Sequence, residues 1–372
     1  MRIKLFPICI FSIFMMSGMA CAAEYRAALV ADMDTGQVLY QENATQPNYP
    51  ASLTKIMTLY LTFDALEHGR LRLDDYLIVS QSAANASPVK LGLTAGSKIK
   101  VEDAIKALAV HSANDVARVL AENLKGGKEG NFASLMTDVA NEIGLSRTNF
   151  ENSSGLPDDD QLSTARDIAL MSMAVYKHFP QYWKYFSIKS WSYNGKTYTN
   201  GNHLLGSYPG CDGMKTGFTN KSRYSLVATA KRGNKHLMSV VLGAASKDVR
   251  ARVSARMLEK GFAILKVSSE PFQIQTSEYD STDEDVVVQK QWVVSTPAPV
   301  SGSTGVQFGA FASEDAASTQ QAHVKSTLGL TAIIEQAPNG MFRVRVNGLS
   351  DGSAQKIKTQ AAANGIDIYV FH

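Results

Sequence analysis

The stretch Tyr224-Ser225-Leu226-Val227-Ala228-Thr229-Ala230, followed by Gly233-Asn234 and then Leu237-Met238-Ser239-Val240-Val241-Leu242, reads as strand, tight turn, strand. The same pattern occurs near the start of the chain. Arg26-Ala27-Ala28-Leu29-Val30-Ala31 is strand-like, Asp34-Thr35-Gly36 is a turn, and Gln37-Val38-Leu39-Tyr40 returns. Between these hairpins the apolar period lengthens to that of helices, with segments near residues 101–110, 115–124, 132–143 and 164–179. A final helix is expected near 249–262. Strands at both ends bracket a helical middle. The terminal strands are therefore expected to meet in one antiparallel sheet with helices packed beside it, an α/β (α+β) architecture.

The first helix of the middle opens at Pro50, where a proline suits the first turn. Leu53, Ile56, Met57, Tyr60 and Leu61 recur at helical spacing, and Leu59 and Phe63 make the opposite face apolar as well. A helix apolar all round belongs in a domain centre. That helix begins Pro50-Ala51-Ser52-Leu53-Thr54-Lys55. Residues i and i+3 share a helix face, so the Ser52 hydroxyl and the Lys55 amine can approach. A serine hydroxyl is a weak nucleophile until a base takes its proton. Lys55 can be that base if burial and a second cation, such as Lys215, disfavour its charged form.

Two further segments complete a set. Ser112-Ala113-Asn114 falls between two helical patterns. Asn114 either caps the following helix or offers its amide to a substrate backbone, with Ser112 relaying a proton. His111 is adjacent, but no pattern supplies an acid to orient it as in a serine–histidine pair. Lys215-Thr216-Gly217 follows Pro209-Gly210 and begins a strand. The lysine and the hydroxyl can receive a carboxylate, and Gly217 lets an extended peptide lie against the strand edge. The backbone N–H groups of Ser52 and Phe218 can form an oxyanion hole. Ser-x-x-Lys, Ser-x-Asn and Lys-Thr-Gly in this order point to acyl transfer through a serine nucleophile.

The 372 residues are 45% hydrophobic and 19% charged, as in a globular chain with a sizeable core. Arg2 and Lys4, the apolar run from 5 to 16 and Ala20-Cys21-Ala22 read as an export signal over residues 1–23. Its removal lowers the formal charge from +3 to +1. No basic run speaks for nucleic acid. Gly18 stands where a lipidation signal on Cys21 needs a leucine-like residue. With Cys9 and Cys21 in the signal, Cys211 is left alone, expected as a small packed residue beside a turn. No His-Glu-x-x-His and no paired cysteines are present, so neither metal nor cofactor is expected. Residues 268–303 are acidic, Ser/Thr-rich and Pro-rich, as in a linker. Residues 304–372 read in the order βαββαβ, which predicts a ferredoxin-like split sheet. The aromatic cluster Tyr182-Trp183-Lys184-Tyr185-Phe186, with Trp191 and Tyr193, is either ordinary packing or the wall of a groove.

Residues from about 25 to 262 resemble the D-alanyl-D-alanine carboxypeptidases among the low-molecular-mass penicillin-binding proteins. The resemblance rests on Ala51-Ser52-Leu53-Thr54-Lys55-Ile56-Met57-Thr58, His111-Ser112-Ala113-Asn114-Asp115, Asn152-Ser153-Ser154-Gly155-Leu156-Pro157, Ser163-Thr164-Ala165-Arg166-Asp167 and Asp212-Gly213-Met214-Lys215-Thr216-Gly217-Phe218-Thr219. It implies a β-lactamase/transpeptidase-like domain over 24–267, with Ser52 as acyl-ester nucleophile and Lys55 as proton acceptor. Ser112 and Asn114 complete the site, and Lys215 binds the terminal carboxylate, with Arg250 as a second cation nearby. Peptidoglycan stem peptides ending in D-Ala-D-Ala are the implied substrate, and β-lactams the implied inhibitors. Unlike many relatives, the chain shows no β-sheet domain or amphipathic anchor helix after the catalytic unit. Its tail instead resembles a SPOR domain, through Gly305-Val306-Gln307-Phe308-Gly309-Ala310-Phe311 and Phe342-Arg343-Val344-Arg345-Val346. That implies binding to glycan strands stripped of stem peptides, in the periplasm and at the division septum. The same machinery also fits a D,D-endopeptidase cutting cross-links. A class A β-lactamase would need a deacylating glutamate, and no Glu-x-x-Leu-Asn-like segment occurs. An inactive wall-binding scaffold would not need the three intact motifs.

Overall fold

The computed structural model describes residues 23–267, 290–291, 304–311, 314–336, 342–364, 366 and 368–371. The expected signal up to residue 22, including Cys9 and Cys21, lies outside the described residues. So does the expected linker apart from residues 290–291.

The two hairpins predicted at the ends of the larger unit meet as expected. β1 (Ala27–Asp32) and β2 (Gln37–Glu42) form one, and β8 (Arg223–Arg232) and β9 (Lys235–Ala244) the other. β1 pairs antiparallel with β9, Leu29 opposite Val240, and so closes the chain on itself. β7 (Cys211–Thr219) adds beyond β8, and β10 (Lys290–Gln291) adds two residues beyond β2. The order is β10-β2-β1-β9-β8-β7. Every residue of β1 is buried, because both sheet faces are covered. Leu29 and Ala31 join the core shared with the helical middle. Ala28 and Val30 instead pack with Leu258 and Phe262 of α7 (Lys247–Ile264). Ser246 caps α7 by accepting from Val249 N–H at 3.1 Å.

The middle contains α1 (Lys55–Glu67), β3 (Tyr76–Ile78), α2 (Gln81–Ala84), β4 (Lys98–Lys100), α3 (Val101–Lys106), α4 (Asn114–Leu124), α5 (Glu129–Glu142) and α6 (Ala165–His178). A short hairpin, β5 (Ser190–Tyr193) and β6 (Lys196–Thr199), leads back to β7. α1 is buried from Lys55 through Phe63, which bears out its placement at the domain centre. Each large apolar side chain it buries contributes about 1.5–3 kcal/mol. Its buried hydroxyls are satisfied: Thr58 Oγ1 donates to Ser153 O at 2.6 Å and Thr62 Oγ1 to Thr58 O at 2.7 Å.

Several boundaries differ from the sequence reading. The turn after Pro50 is 3₁₀ over Ala51–Thr54, and the α-helix starts only at Lys55. The helix expected over 101–110 is α3 followed by a π-turn at Ala107–His111. Lys215-Thr216-Gly217 sits within β7 rather than at its start. The aromatic cluster is core: Trp183, Tyr185 and Phe186 are buried, and Tyr182 stacks on Phe63 at 4.8 Å. Cys211 is half-buried, and burial pushes its thiol up to about 11.

The C-terminal unit has β11 (Thr304–Phe311), α8 (Glu314–Leu328), β12 (Ile333–Gln336), β13 (Phe342–Leu349), α9 (Asp351–Ala363) and β14 (Tyr369–Phe371). Its antiparallel order β12-β13-β11-β14 is the predicted split βαββαβ arrangement. Val306, Phe308 and Val344 form its core with Val324 of α8 and Ile357 of α9. The expected Asn339-Gly340 turn lies outside the described residues.

Candidate active site

Lys55 and Lys215 are among the largest fully buried side chains described. An isolated buried ammonium is costly, so two of them close together need a chemical reason. Lys55 Nζ lies 3.2 Å from Ser52 Oγ, 2.7 Å from Asn114 Oδ1 and 2.5 Å from Ser154 O. Two of these partners are carbonyl oxygens, which only accept. A neutral amine has two N–H groups and one lone pair. Donating to Asn114 and Ser154 leaves that lone pair for the Ser52 hydroxyl proton. Burial, and next the charge on Lys215, hold Lys55 well below the ordinary lysine range. Glu129 and Asp115 pull the other way. The site therefore favours the base form of Lys55 that a serine nucleophile requires.

Lys215 Nζ donates to Ser112 Oγ at 3.0 Å and to Thr216 O at 3.1 Å. Burial, then the nearby cation of Arg250, lower it to about 7. Arg250 is buried on α7, and its Nη2 donates to Gly201 O at 3.0 Å. Burial lowers Arg250 to about 10, still charged at neutrality. A charge on Lys215 in turn disfavours a second charge on Lys55. Ser112 follows the π-turn with φ 66° and ψ 34°, a left-handed conformation uncommon for a residue with a side chain. That twist sets its hydroxyl beside Lys215.

The sequence-predicted residues thus fall into one place. Ser52, Lys55 and Asn114 make one hydrogen-bonded group, and Ser112 and Lys215 a second, coupled to the first by charge. β7 ends the sheet on this side, and Gly217 runs close to the 3₁₀ turn. A Cβ on Gly217 would sit 3.1 Å from Pro50 O and 3.4 Å from Ala51 Cβ. Phe218 follows it, half-exposed and stacked on Tyr224 at 4.3 Å. Asn114 does not cap its helix: Ala113 is the capping position, and the Asn114 carbonyl is taken by Lys55. His111 packs its ring 4.3 Å from Tyr198, with Nε2 at Lys90 O, so no serine–histidine pair forms. Among the described residues, no group of three or more His, Cys, Asp or Glu could hold a metal ion.

Asn152-Ser153-Ser154-Gly155 shows no role in the sequence beyond the family resemblance. Asn152 Oδ1 accepts from the N–H groups of Gly155 and Leu156 at 2.8 and 3.1 Å, folding the loop so that Ser154 O meets Lys55. Gly155 has φ +82°, and a Cβ there would lie 1.8 Å from Ala51 O. G155A is expected to destabilise the protein by about 2–4 kcal/mol, from overpacking plus backbone strain. A thermal melt of the variant checks this, and an unchanged midpoint contradicts it. Asp115, fully buried, accepts from Leu91, Gly92 and Leu93 N–H at 3.1, 2.9 and 3.3 Å and so ties that loop beside the site.

A family model described as D-alanyl-D-alanine carboxypeptidase matches residues 16–246, and a SPOR domain model matches 301–371. D-alanyl-D-alanine carboxypeptidase DacF of Bacillus subtilis (strain 168) is 34% identical over 253 residues, 65% of this chain and 63% of that protein. DacC of Escherichia coli (strain K12) is 37% identical over 250 residues, 65% of this chain and 62% of that one. The chain thus spans less than two thirds of the length of these curated relatives. Penicillin binding protein 5 from Haemophilus influenzae superposes with TM-score 0.63 at 33% identity, covering 65% of this chain and 72% of that one. Penicillin-Binding Protein D2 from Listeria monocytogenes, solved in its ampicillin-bound form, gives TM-score 0.59 at 33% identity over 64% of this chain and 98% of that one.

Proposed function

The chain belongs to the D-alanyl-D-alanine carboxypeptidase family, and from that premise we propose that it is a serine-type carboxypeptidase removing the terminal D-alanine from peptidoglycan pentapeptide stems. Ser52 Oγ attacks the carbonyl of the penultimate D-alanine while Lys55 Nζ takes the hydroxyl proton. The Ser52 and Phe218 N–H groups face the developing oxyanion. Ser112, in contact with Lys215, returns a proton to the leaving amine. Free D-alanine departs, and water hydrolyses the ester to release Ser52. Lys215 and Thr216 take the terminal carboxylate, with Arg250 adding positive potential, while the substrate backbone lies along Gly217 and the outer edge of β7. A β-lactam follows the first half of this path and stays on Ser52.

The observation that carries the proposal is the set of partners around Lys55 Nζ: two carbonyl oxygens and the Ser52 hydroxyl, in a buried site. A protein with these activities works outside the cytoplasm. Residues 1–23 would direct export to the periplasm, and 268–303 would tether the catalytic unit at 24–267 to 304–372. That last unit would hold denuded glycan strands and concentrate the enzyme at the septum.

The test incubates the mature chain with a defined pentapeptide, a cross-linked dimer and labelled penicillin. Release of D-alanine from the pentapeptide with stable labelling supports the proposal. Cleavage of the dimer alone makes it an endopeptidase. Rapid penicillin turnover makes it a lactamase, and no labelling at all leaves a scaffold.

A further inference from the structure

Glu129 stands on the first turn of α5. Its Oε1 accepts from Ser153 N–H at 3.1 Å and from Ser153 Oγ at 2.6 Å. Its Oε2 pairs with Arg118 Nη2 of α4 at 2.5 Å. Ser153 is fully buried, and its carbonyl is held by Thr58 Oγ1 of α1. The next residue supplies the carbonyl that accepts from Lys55 Nζ. A continuous chain of contacts therefore runs Arg118–Glu129–Ser153–Ser154–Lys55.

We propose that Glu129 is a positioning residue for the proposed acyl transfer: its carboxylate clamps Ser153, fixing the Ser154 carbonyl on the Lys55 amine and aiming the lone pair at Ser52. The inference rests on the proposed function and adds to it a residue that touches neither substrate nor reacting atoms.

The carboxylate also acts at a distance. The charged groups acting on Lys55 are Lys215 on β7, Asp115 on α4 and Glu129 on α5, while Arg250 on α7 acts on Lys215 and Arg118 faces Glu129. A negative charge raises the proton affinity of Lys55, so removing it makes the amine easier to deprotonate. Acylation needs the neutral amine. Its acid limb must then move to lower pH when the charge is removed.

The experiment measures the pH dependence of penicillin acylation in the full chain carrying E129Q, with the adduct mapped in parallel. The expected result is an adduct still on Ser52, an acid limb displaced to lower pH, and restoration by E129D. An acid limb that does not move, with an acylation rate equal to the parent's, overturns the proposal. S153A keeps the charge but removes the 2.6 Å bond, so it is expected to slow acylation about tenfold without moving the limb. An unchanged S153A rate overturns the clamp even if E129Q does not fold. An adduct away from Ser52 in the parent protein strikes the proposed function itself, a failure separate from either of these.

Discussion

S52A is expected to lower D-alanine release by at least about 10⁴-fold, the scale on which a serine enzyme loses rate with its nucleophile. The loss should fall on turnover. Lys215, Thr216 and Gly217, which would hold the substrate's carboxylate and backbone, are untouched by the change. Folding should also survive: Lys55 Nζ keeps Asn114 Oδ1 and Ser154 O, so no buried carbonyl loses its donor. Steady-state kinetics with pentapeptide and a thermal melt together check both halves. An S52A enzyme within tenfold of the parent would remove Ser52 from the chemistry.

K55A is expected to lower acylation by about 10²–10⁴-fold, the range typical of a lost general base. K55R should not rescue it. A guanidinium does not give up its proton near neutrality, so it offers no lone pair to Ser52. In the parent enzyme the rate should rise with pH as Lys55 loses its proton, because the protonated form cannot accept another. It should then fall again as Lys215, near 7, becomes neutral and stops attracting a carboxylate. K55A removes the rising limb and leaves the falling one. A rising limb that persists in K55A would assign the base to another group.

The parts of this site that were legible from sequence are those set by local geometry. Ser52 and Lys55 lie three residues apart at a helix start, and the Lys215-Thr216-Gly217 strand is bounded by a turn and a period-two pattern. The hairpins were legible for the same reason, since alternation and a Gly-Asn pair act over a few residues. What sequence reasoning missed is set by packing between distant segments. The motif placed Asn114 in the site, but not the bond its amide oxygen accepts from a lysine 59 positions earlier. Ser154 contributes a backbone carbonyl, which no side-chain pattern can reveal. Glu129 reads as one more acid at a helix start until Ser153 is seen packed against it. The π-turn before Ser112 and its left-handed backbone carry no compositional signal, because Ala107-Leu108-Ala109-Val110 is ordinary helix sequence.

One measurement bears most directly on the claim that a buried neutral lysine arms Ser52. The mature chain is labelled with penicillin at two pH values on either side of the acid limb, digested, and the adduct located by mass spectrometry. A single adduct on Ser52, forming faster at the higher pH, is the predicted result. An adduct on Ser112, on a lysine or on any other residue, or a rate on Ser52 indifferent to pH, would contradict it.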